Sequence, residues 1–213
     1  MQNAYQGIKA ELKDRIQLVA VSKTKPAEEI MTLYSFGQRD FGENYVQELV
    51  DKQGSLPADI RWHFIGHLQS NKVKYIAPFV HLIHGVDSLR LLKEIDRQAA
   101  RHGRVIDCLL QVHIAREETK FGLDAAELDQ LMNGPDLSAL QNIRVRGLMG
   151  MASFTEDQGK VREEFKGLKI LFDKYFQGGD DILSMGMSGD YTIAMEEGST
   201  MVRIGSLLFG KRG

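Results

Sequence analysis

The segment LSMGMSGDYTIAMEEGSTMVRIGSLLFGKR, residues 183–212, contains two apolar runs separated by a loop and an amphipathic stretch. The runs at 182–187 and 201–205 are predicted to be strands, and Tyr191 to Glu197 can form a short helix between them. Glycine and serine lie at the end of each run, as is typical where a strand gives way to a loop. A strand, a helix and a further strand in this order are typical of a parallel sheet.

The same alternation extends over the rest of the chain. Six more predicted strands precede this segment, at 17–22, 39–42, 61–65, 81–85, 106–113 and 143–149. The run at 39–42 is the weakest, because it is short and contains Arg39 and Asp40. Eight strands alternating with helices favour a parallel (β/α)8 barrel, the TIM barrel, although a doubly wound open sheet would give much the same periodicity.

Helices are expected between the strands and before the first one. Pro26 is placed to begin one helix, and Ser88 is expected to cap another that ends near Gly103. An extra N-terminal helix is predicted within residues 1–14. Apolar spacing predicts the buried faces of two helices: Tyr5, Ile8 and Leu12 in the first, and Val161, Phe165, Leu168 and Phe172 in a later one.

Composition and charge restrict the class of protein. The 213 residues contain no Pro/Gly/Ser-rich linker, so residues 1–213 are expected to form one domain. With 27 Lys and Arg against 29 Asp and Glu, the net charge of −2 provides no basic field for nucleic acid. Apolar runs are far shorter than the roughly 20 residues that cross a bilayer, and the first residues lack the apolar core of a signal peptide. We therefore expect a cytoplasmic protein without nucleic-acid or membrane partners.

A phosphate site is predicted in the loops after the last two strands, where barrel enzymes commonly hold phosphate. Ser188 and Gly189 follow the seventh strand, and Gly205 and Ser206 end the eighth. Such small residues let backbone N–H groups approach an anion closely. Taken singly, either turn could equally serve only to reverse the chain.

Lys23 stands directly after the first strand, in VAVSKTKP. Strand alternation puts Lys23 on the same side as Val19 and Val21, so it points into the barrel mouth if the valines line the barrel. Partial desolvation would lower the pKa of its amine and free it to attack a carbonyl. The alternative is a solvated lysine at the end of a strand, which is what we expect of Lys25.

Two other polar residues are expected near the mouth. Arg203 shares the side of its strand with Met201, and a buried arginine needs a partner: a bound anion, a ring nitrogen, or a structural carboxylate such as Glu43. Asn44 follows the second strand and could touch a ligand, or it could only cap the helix that begins near Val46.

The histidines are not expected to bind a metal, although His67, just past the end of a strand, could still face the pocket. His63 and His67 are four residues apart, but Gly66 and the strand character of 61–65 deny them a common helical face. No acidic or cysteine partner lies at ligand spacing, so we expect no metal site. Cys108 lies in an apolar strand and is expected to be a small buried hydrophobe.

Five segments together resemble one known family. They are VAVSKTKP (19–26), FGENYVQE (41–48), WHFIGHLQSNK (62–72), RGLMGM (146–151) and LSMGMSGDYTIAMEEGSTMVRIGSLLFGKR (183–212). From end to end the chain resembles the pyridoxal 5′-phosphate (PLP) homeostasis protein family, the YggS/PROSC group. That family is similar to the barrel domain of alanine racemase, whose fold is known as PLP fold type III.

The resemblance implies a role for each candidate residue. Lys23 would form the internal aldimine, a Schiff base, with PLP. Arg203 would lie beside the pyridine nitrogen and Asn44 near the ring. The phosphate would be held by Ser188, Gly189, Gly205 and Ser206. The family carries a further lysine in a segment like EETKFGL, here Lys120, which has been linked to cofactor handling.

The function implied by the resemblance is to buffer PLP and deliver it to PLP-dependent apoenzymes, in vitamin B6 and amino-acid homeostasis. We expect a monomer without robust catalysis, and no catalytic residue is assigned. The alternatives are a PLP-dependent racemase of the same fold and, without the resemblance, a Schiff-base aldolase acting on a sugar phosphate. Racemisation needs an acid/base group on each face of the substrate α-carbon. The chain ends soon after the eighth strand, so no second domain is expected to supply the second group.

Overall fold

The computed structural model describes residues 1–13, 15–115 and 121–210. Eight parallel strands pair in chain order and close into a barrel, so the predicted (β/α)8 fold is confirmed and the open sheet is not formed. The strands are β1 (Gln17–Val21), β2 (Asp40–Glu43), β3 (Arg61–Phe64), β4 (Leu82–Val86), β5 (Ile106–Gln111), β6 (Ile143–Met149), β7 (Ile182–Ser184) and β8 (Met201–Ile204). The weakest predicted strand forms one residue later than expected.

Helices surround the barrel in the described part of the chain. They are α1 (Gln2–Leu12), α2 (Ala27–Ser35), α3 (Val46–Ser55), α4 (Val73–Ile76), α5 (Leu89–Arg101), α6 (Ala125–Asn133), α7 (Pro135–Ser138), α8 (Gln158–Tyr175), α9 (Tyr191–Glu196) and α10 (Ser206–Phe209). A 3₁₀ turn, Ser70–Lys72, precedes α4. None of the described helices is long and apolar enough to span a membrane.

The core has two layers, because successive residues of a barrel strand point alternately inward and outward. Val19 and Met201 lie in the inner layer, whose buried members are Val19, Leu82, Leu109, Met149 and Met201. Leu18, Ala20 and Val202 belong to the outer layer between strands and helices. The predicted orientation of β1 and β8 is therefore confirmed.

The predicted helix signals are also confirmed. The Ser88 side chain caps α5 by accepting a hydrogen bond from the Leu91 amide. The predicted apolar faces of α1 and α8 are buried. Helix α1 packs on the outside of the barrel, with Tyr5 against Phe36 at the end of α2, while its Glu11 accepts from the Tyr191 hydroxyl of α9.

Candidate functional site

A cavity of about 580 Å³ opens at the carboxyl ends of the strands. The structure brings every sequence-predicted site residue into its lining: Lys23, Asn44, Ser188, Gly189, Arg203, Gly205 and Ser206. The opposite end of the barrel has a separate cavity, lined in part by Asp40 and Arg61. Parallel strands all end on one face, which is why residues from distant parts of the chain meet in one cavity.

The turn that carries Lys23 is held in an uncommon conformation. Lys23 is half-buried, and the next residue, Thr24, has a φ of 63°, a left-handed conformation that β-branched residues rarely adopt. The Thr24 amide donates to Glu48 Oε1 at 2.6 Å. Surrounding contacts must over-determine such a backbone for it to persist.

A buried ion pair supplies those contacts. Lys52 of α3 donates to the Ser22 carbonyl oxygen at 2.7 Å, to Glu43 Oε1 at 2.8 Å and to Glu48 Oε1 at 2.6 Å. The Ser22 hydroxyl donates to the same Glu43 oxygen at 2.6 Å. Burial raises the pKa of Glu43, although Lys52 and Ser22 oppose the rise. Both neighbours of Lys23 are thus tied to α3.

Arg203 enters the cavity from the inner face of β8 and is buried. Its Nη1 donates to the Ser184 carbonyl oxygen at 2.9 Å and to Ser184 Oγ at 2.6 Å, and its Nη2 donates to the Gly150 carbonyl oxygen at 3.0 Å. Burial lowers the pKa of Arg203 to about 10, and Asp190 opposes this shift. The guanidinium therefore stays charged at neutral pH. The alternative that Glu43 is its partner was wrong, since Glu43 faces Ser22 and Lys52.

Asn44 presents a buried acceptor that lacks a hydrogen bond, since no described atom pairs with its Oδ1. The alternative prediction, that Asn44 only caps α3, was wrong. The residue at the N-cap of α3 is Tyr45, and no side chain caps that helix. Gly66 packs against the Asn44 backbone, where a Cβ would lie 2.3 Å from the Asn44 carbonyl oxygen. An unpaired buried acceptor costs about 1–3 kcal/mol, which a ligand that donates to it would recover.

The two predicted phosphate loops are joined to each other. The Gly205 amide donates to Ser188 Oγ at 3.2 Å, so the loop after β7 contacts the end of β8. Helices α9 and α10 begin next to these loops, at Tyr191 and Ser206. A Cβ at Gly189 would meet no atom within 4 Å, which leaves its backbone open to approach.

Sequence reasoning missed several residues of the cavity lining. Lys25 was expected at the surface, but it lines the cavity and donates to the Phe209 carbonyl oxygen at 3.1 Å. Its spacing of two from Lys23 was the signal that could have found it. The loop after β6 contributes Ser153 and Phe154, and the Phe154 side chain is 96% exposed.

The structure separates the two histidines of the HFIGH segment. His63 lies buried inside the barrel, whereas His67 lies outside it, 3.3 Å from Asp87 and stacked on Phe121. Cys108 is buried as predicted, and burial raises the pKa of its thiol. Lys120 lies outside the described residues.

A different set of possible metal ligands lies at the opposite end of the barrel. Asp40, His63 and His81 place one ligand atom each within 4.8 Å of one another. However, both Asp40 oxygens accept from Arg61, at 2.7 and 2.6 Å, and Oδ1 also lies 3.0 Å from His63 Nε2. Hydrogen bonds within the protein thus occupy the Asp40 and His63 atoms of this set.

Comparison with known proteins identifies the class to which this barrel belongs. The family model of the alanine racemase N-terminal domain matches residues 1–213. The pyridoxal phosphate homeostasis protein of Aquifex aeolicus strain VF5 is 42% identical over 200 residues, which cover 92% of this chain and 87% of the relative. That of Escherichia coli K12 is 40% identical over 210 residues, covering 93% and 87%. The chain belongs to the alanine racemase N-terminal domain family and, within it, to the pyridoxal phosphate homeostasis proteins.

Solved structures agree with this assignment. PipY of Synechococcus elongatus PCC7942, solved without PLP, superposes with a TM-score of 0.90 at 38% identity, covering 98% of this chain and 99% of PipY. PipY with PLP bound gives 0.88 at 37% identity over the same shares. Alanine racemase from Bartonella henselae shares the fold at 16% identity, with a TM-score of 0.72 over 98% of this chain and 59% of the racemase. The family resemblance seen in the sequence is therefore confirmed.

Proposed function

We propose that this chain binds PLP in the cavity at the carboxyl ends of the strands and serves as a cofactor carrier. The observation that supports this most is the convergence of the half-buried Lys23, the buried Arg203 and the two Ser/Gly loops on one cavity. Relatives about 40% identical are named pyridoxal phosphate homeostasis proteins, and PipY has been solved with PLP bound.

The residues present fit the chemistry of the cofactor. PLP supplies an electrophilic aldehyde, a ring nitrogen and a phosphate when bound. Lys23 would provide the amine that joins the aldehyde with loss of water, and Arg203 would donate a hydrogen bond to the ring nitrogen. Ser188, Gly189 and Ser206 would hold the phosphate with hydroxyl and backbone N–H groups, and the Gly205 amide would exchange its Ser188 Oγ acceptor for a phosphate oxygen. Asn44 lines the same cavity, and its unpaired Oδ1 would accept from a hydroxyl group on the ring.

The arrangement favours a carrier over an efficient enzyme. Among the described residues that line the cavity, the titratable side chains are Lys23, Lys25, Asp190 and Arg203. Tyr45 is 60% exposed, and Tyr191 donates to Glu11 of α1, so neither tyrosine lines the cavity as a second acid/base group. PLP-dependent apoenzymes would be the recipients, and we place the protein in the cytoplasm as a monomer.

The proposal is tested by titrating purified protein with PLP. We expect a visible absorption band from the lysine-linked cofactor, and borohydride followed by peptide mapping should place the label on Lys23. The matched control is Lys25→Met, which removes a cationic neighbour in the same cavity and should keep the label on Lys23. Absence of the band at saturating PLP would overturn the proposal.

A further inference from the structure

A continuous line of hydrogen bonds crosses the barrel interior and ends at Arg203. Asp40 Oδ1 lies 3.0 Å from His63 Nε2, and His63 Nδ1 lies 3.0 Å from His84 Nε2. His84 Nδ1 lies 3.1 Å from Ser184 Oγ, which accepts from Arg203 Nη1 at 2.6 Å. All five side chains are buried. The line thus joins the amino end of the barrel to the cavity at the carboxyl ends of the strands, which we call the cofactor cavity.

The Asp40 end of the line can only accept. Burial by itself would raise the pKa of Asp40, but hydrogen bonds from Arg61 and His63 outweigh burial and hold that pKa well below its usual range. Asp40 is therefore a carboxylate at neutral pH, and an ionised carboxylate has no proton to donate. The proton between Asp40 and His63 must reside on His63 Nε2.

The Arg203 end of the line can only donate, because a guanidinium has no acceptor atom. Ser184 Oγ therefore accepts from Arg203, and its own proton is available for His84 Nδ1. Burial lowers the pKa of His84 well below its usual range, with His63 and Arg203 adding to the effect, so His84 is a neutral imidazole with a single ring proton. The two ends impose the same direction on the line.

One arrangement of protons satisfies every contact when each imidazole carries one proton. His63 donates from Nε2 to Asp40, which leaves Nδ1 to accept from His84 Nε2. His84 Nδ1 then accepts from the Ser184 hydroxyl, whose oxygen accepts from Arg203. Each group is thereby used once as donor and once as acceptor between the two charged ends.

We propose that His84 is a positioning residue that holds the Ser184 hydroxyl with its oxygen toward Arg203, and so aims the Arg203 guanidinium at the cofactor cavity. A fixed guanidinium would donate to the pyridine nitrogen of PLP and keep that nitrogen unprotonated. The contact with PLP rests on the proposed function. The direction of the hydrogen bonds does not depend on whether the protein binds PLP.

The first test needs no cofactor. Long-range ¹H–¹⁵N NMR of ring-labelled protein, with single His→Gln variants for assignment, reports which nitrogen of each imidazole carries the proton. We expect protonated Nε2 and unprotonated Nδ1 in both His63 and His84. A proton on His84 Nδ1, or a doubly protonated His63, would mean that the line runs the other way and would overturn the proposal whether or not the protein binds PLP.

The second test removes the acceptor. Ser184→Ala should raise the dissociation constant for PLP about 5- to 30-fold, since a hydrogen bond to a charged group is lost while Arg203 keeps two backbone acceptors. It should also move the pyridine ¹⁵N resonance of bound PLP. His84→Leu should act in the same direction.

Ser199→Ala is the matched control for this second test. Ser199 is buried, and its hydroxyl donates to the Met185 carbonyl oxygen at 2.8 Å, outside the line. A merely structural role for Ser184 would make the two serine variants alike. If Ser184→Ala and Ser199→Ala give the same affinity and the same nitrogen resonance, the positioning role is refuted. Failure of the unmodified protein to bind PLP would instead count against the proposed function.

Discussion

Val19 of β1 and Arg203 of β8 are register partners at the seam where the barrel closes. Lys23 lies beyond the end of the same strand as Val19, so the strands that carry Lys23 and Arg203 are direct neighbours. Strands at the two ends of the sequence thus bring an amine and a guanidinium, 180 residues apart along the chain, to one end of the barrel. This adjacency depends on closure, because an open sheet would leave the first and last strands at opposite edges.

Lys23→Ala is expected to abolish the visible band of the lysine-linked cofactor, because Lys23 combines a position at a strand end with an inward orientation. Weak noncovalent binding should remain, since the phosphate loops are untouched. Absorption spectroscopy with PLP titration checks both statements. A variant that keeps the band with unchanged affinity would show that another lysine carries the cofactor, with Lys120 the first to test.

Lys52→Met should destabilise the protein by about 3–5 kcal/mol, because it leaves the buried Glu43 carboxylate without its partner. Urea unfolding measures the loss. The double variant Lys52→Met/Glu43→Leu removes both charges and should regain much of that stability. If the double variant is no more stable than Lys52→Met, the ion pair is not what stabilises this region.

The single substitution Lys52→Met should also slow the reaction of Lys23 with PLP. Lys52 holds the Ser22 carbonyl and the Glu48 carboxylate that fixes the Thr24 amide, so its loss frees the turn on both sides of Lys23. Stopped-flow absorbance at saturating PLP measures the rate of band formation. A rate equal to that of the unmodified protein would contradict a positioning role for α3.

Asp40 should make stability fall in acid. Its pKa is lower in the folded than in the unfolded chain, so its contribution is present above the unfolded value of about 3.9 and is lost as pH falls toward the folded value. Asp40→Asn should therefore lower the free energy of unfolding most at neutral pH and progressively less below about pH 4. The same comparison for the exposed Asp136→Asn gives the background. A difference for Asp40→Asn that is constant from pH 7 to pH 3 would contradict this linkage.

The barrel and its mouth were predictable because they follow from local pattern. Alternation along single strands predicted that Val19 and Met201 face inward, and the rule for barrel loops pointed to Ser188 and Gly205. The line from Asp40 through His63 and His84 to Ser184 was not predictable. Its members come from β2, β3, β4 and β7, and their contacts depend on register between strands, which periodicity within a strand does not contain. The place of Asn44 was ambiguous because the pattern did not fix the first residue of α3 to within one position, and the helix begins after Tyr45.

Arg203→Glu is expected to raise the proton affinity of the pyridine nitrogen of bound PLP. With a pKa of about 10, the Arg203 guanidinium keeps its protons at neutral pH and leaves the nitrogen unprotonated, whereas a carboxylate beside the nitrogen favours its protonated form. The ¹⁵N resonance of labelled PLP reports the protonation state. A protonated nitrogen already present in the unmodified protein would contradict the placement of Arg203 beside the ring. Circular dichroism is the control for folding, because the new carboxylate lies near Asp190.

Efficient racemisation or transamination of amino acids is not expected at saturating PLP. Racemisation needs proton transfer on both faces of the α-carbon, and Lys23 can serve one face. The other titratable groups of the described lining are already engaged. Lys25 donates to the Phe209 carbonyl and pairs with Glu29 at 3.6 Å, and Asp190 accepts from the Met187 amide at 2.6 Å.

Transamination is disfavoured for a different reason. It needs the ring as an electron sink, and an unprotonated nitrogen beside Arg203 would weaken the ring in that role. The measurement is a turnover assay with L- and D-alanine, L- and D-serine and other common amino acids, with Lys23→Ala as the blank. Enzymes ordinarily have turnover numbers of about 1–10³ s⁻¹. A Lys23-dependent turnover number in that range for any of these amino acids would contradict the proposed carrier function and show that the protein is an enzyme.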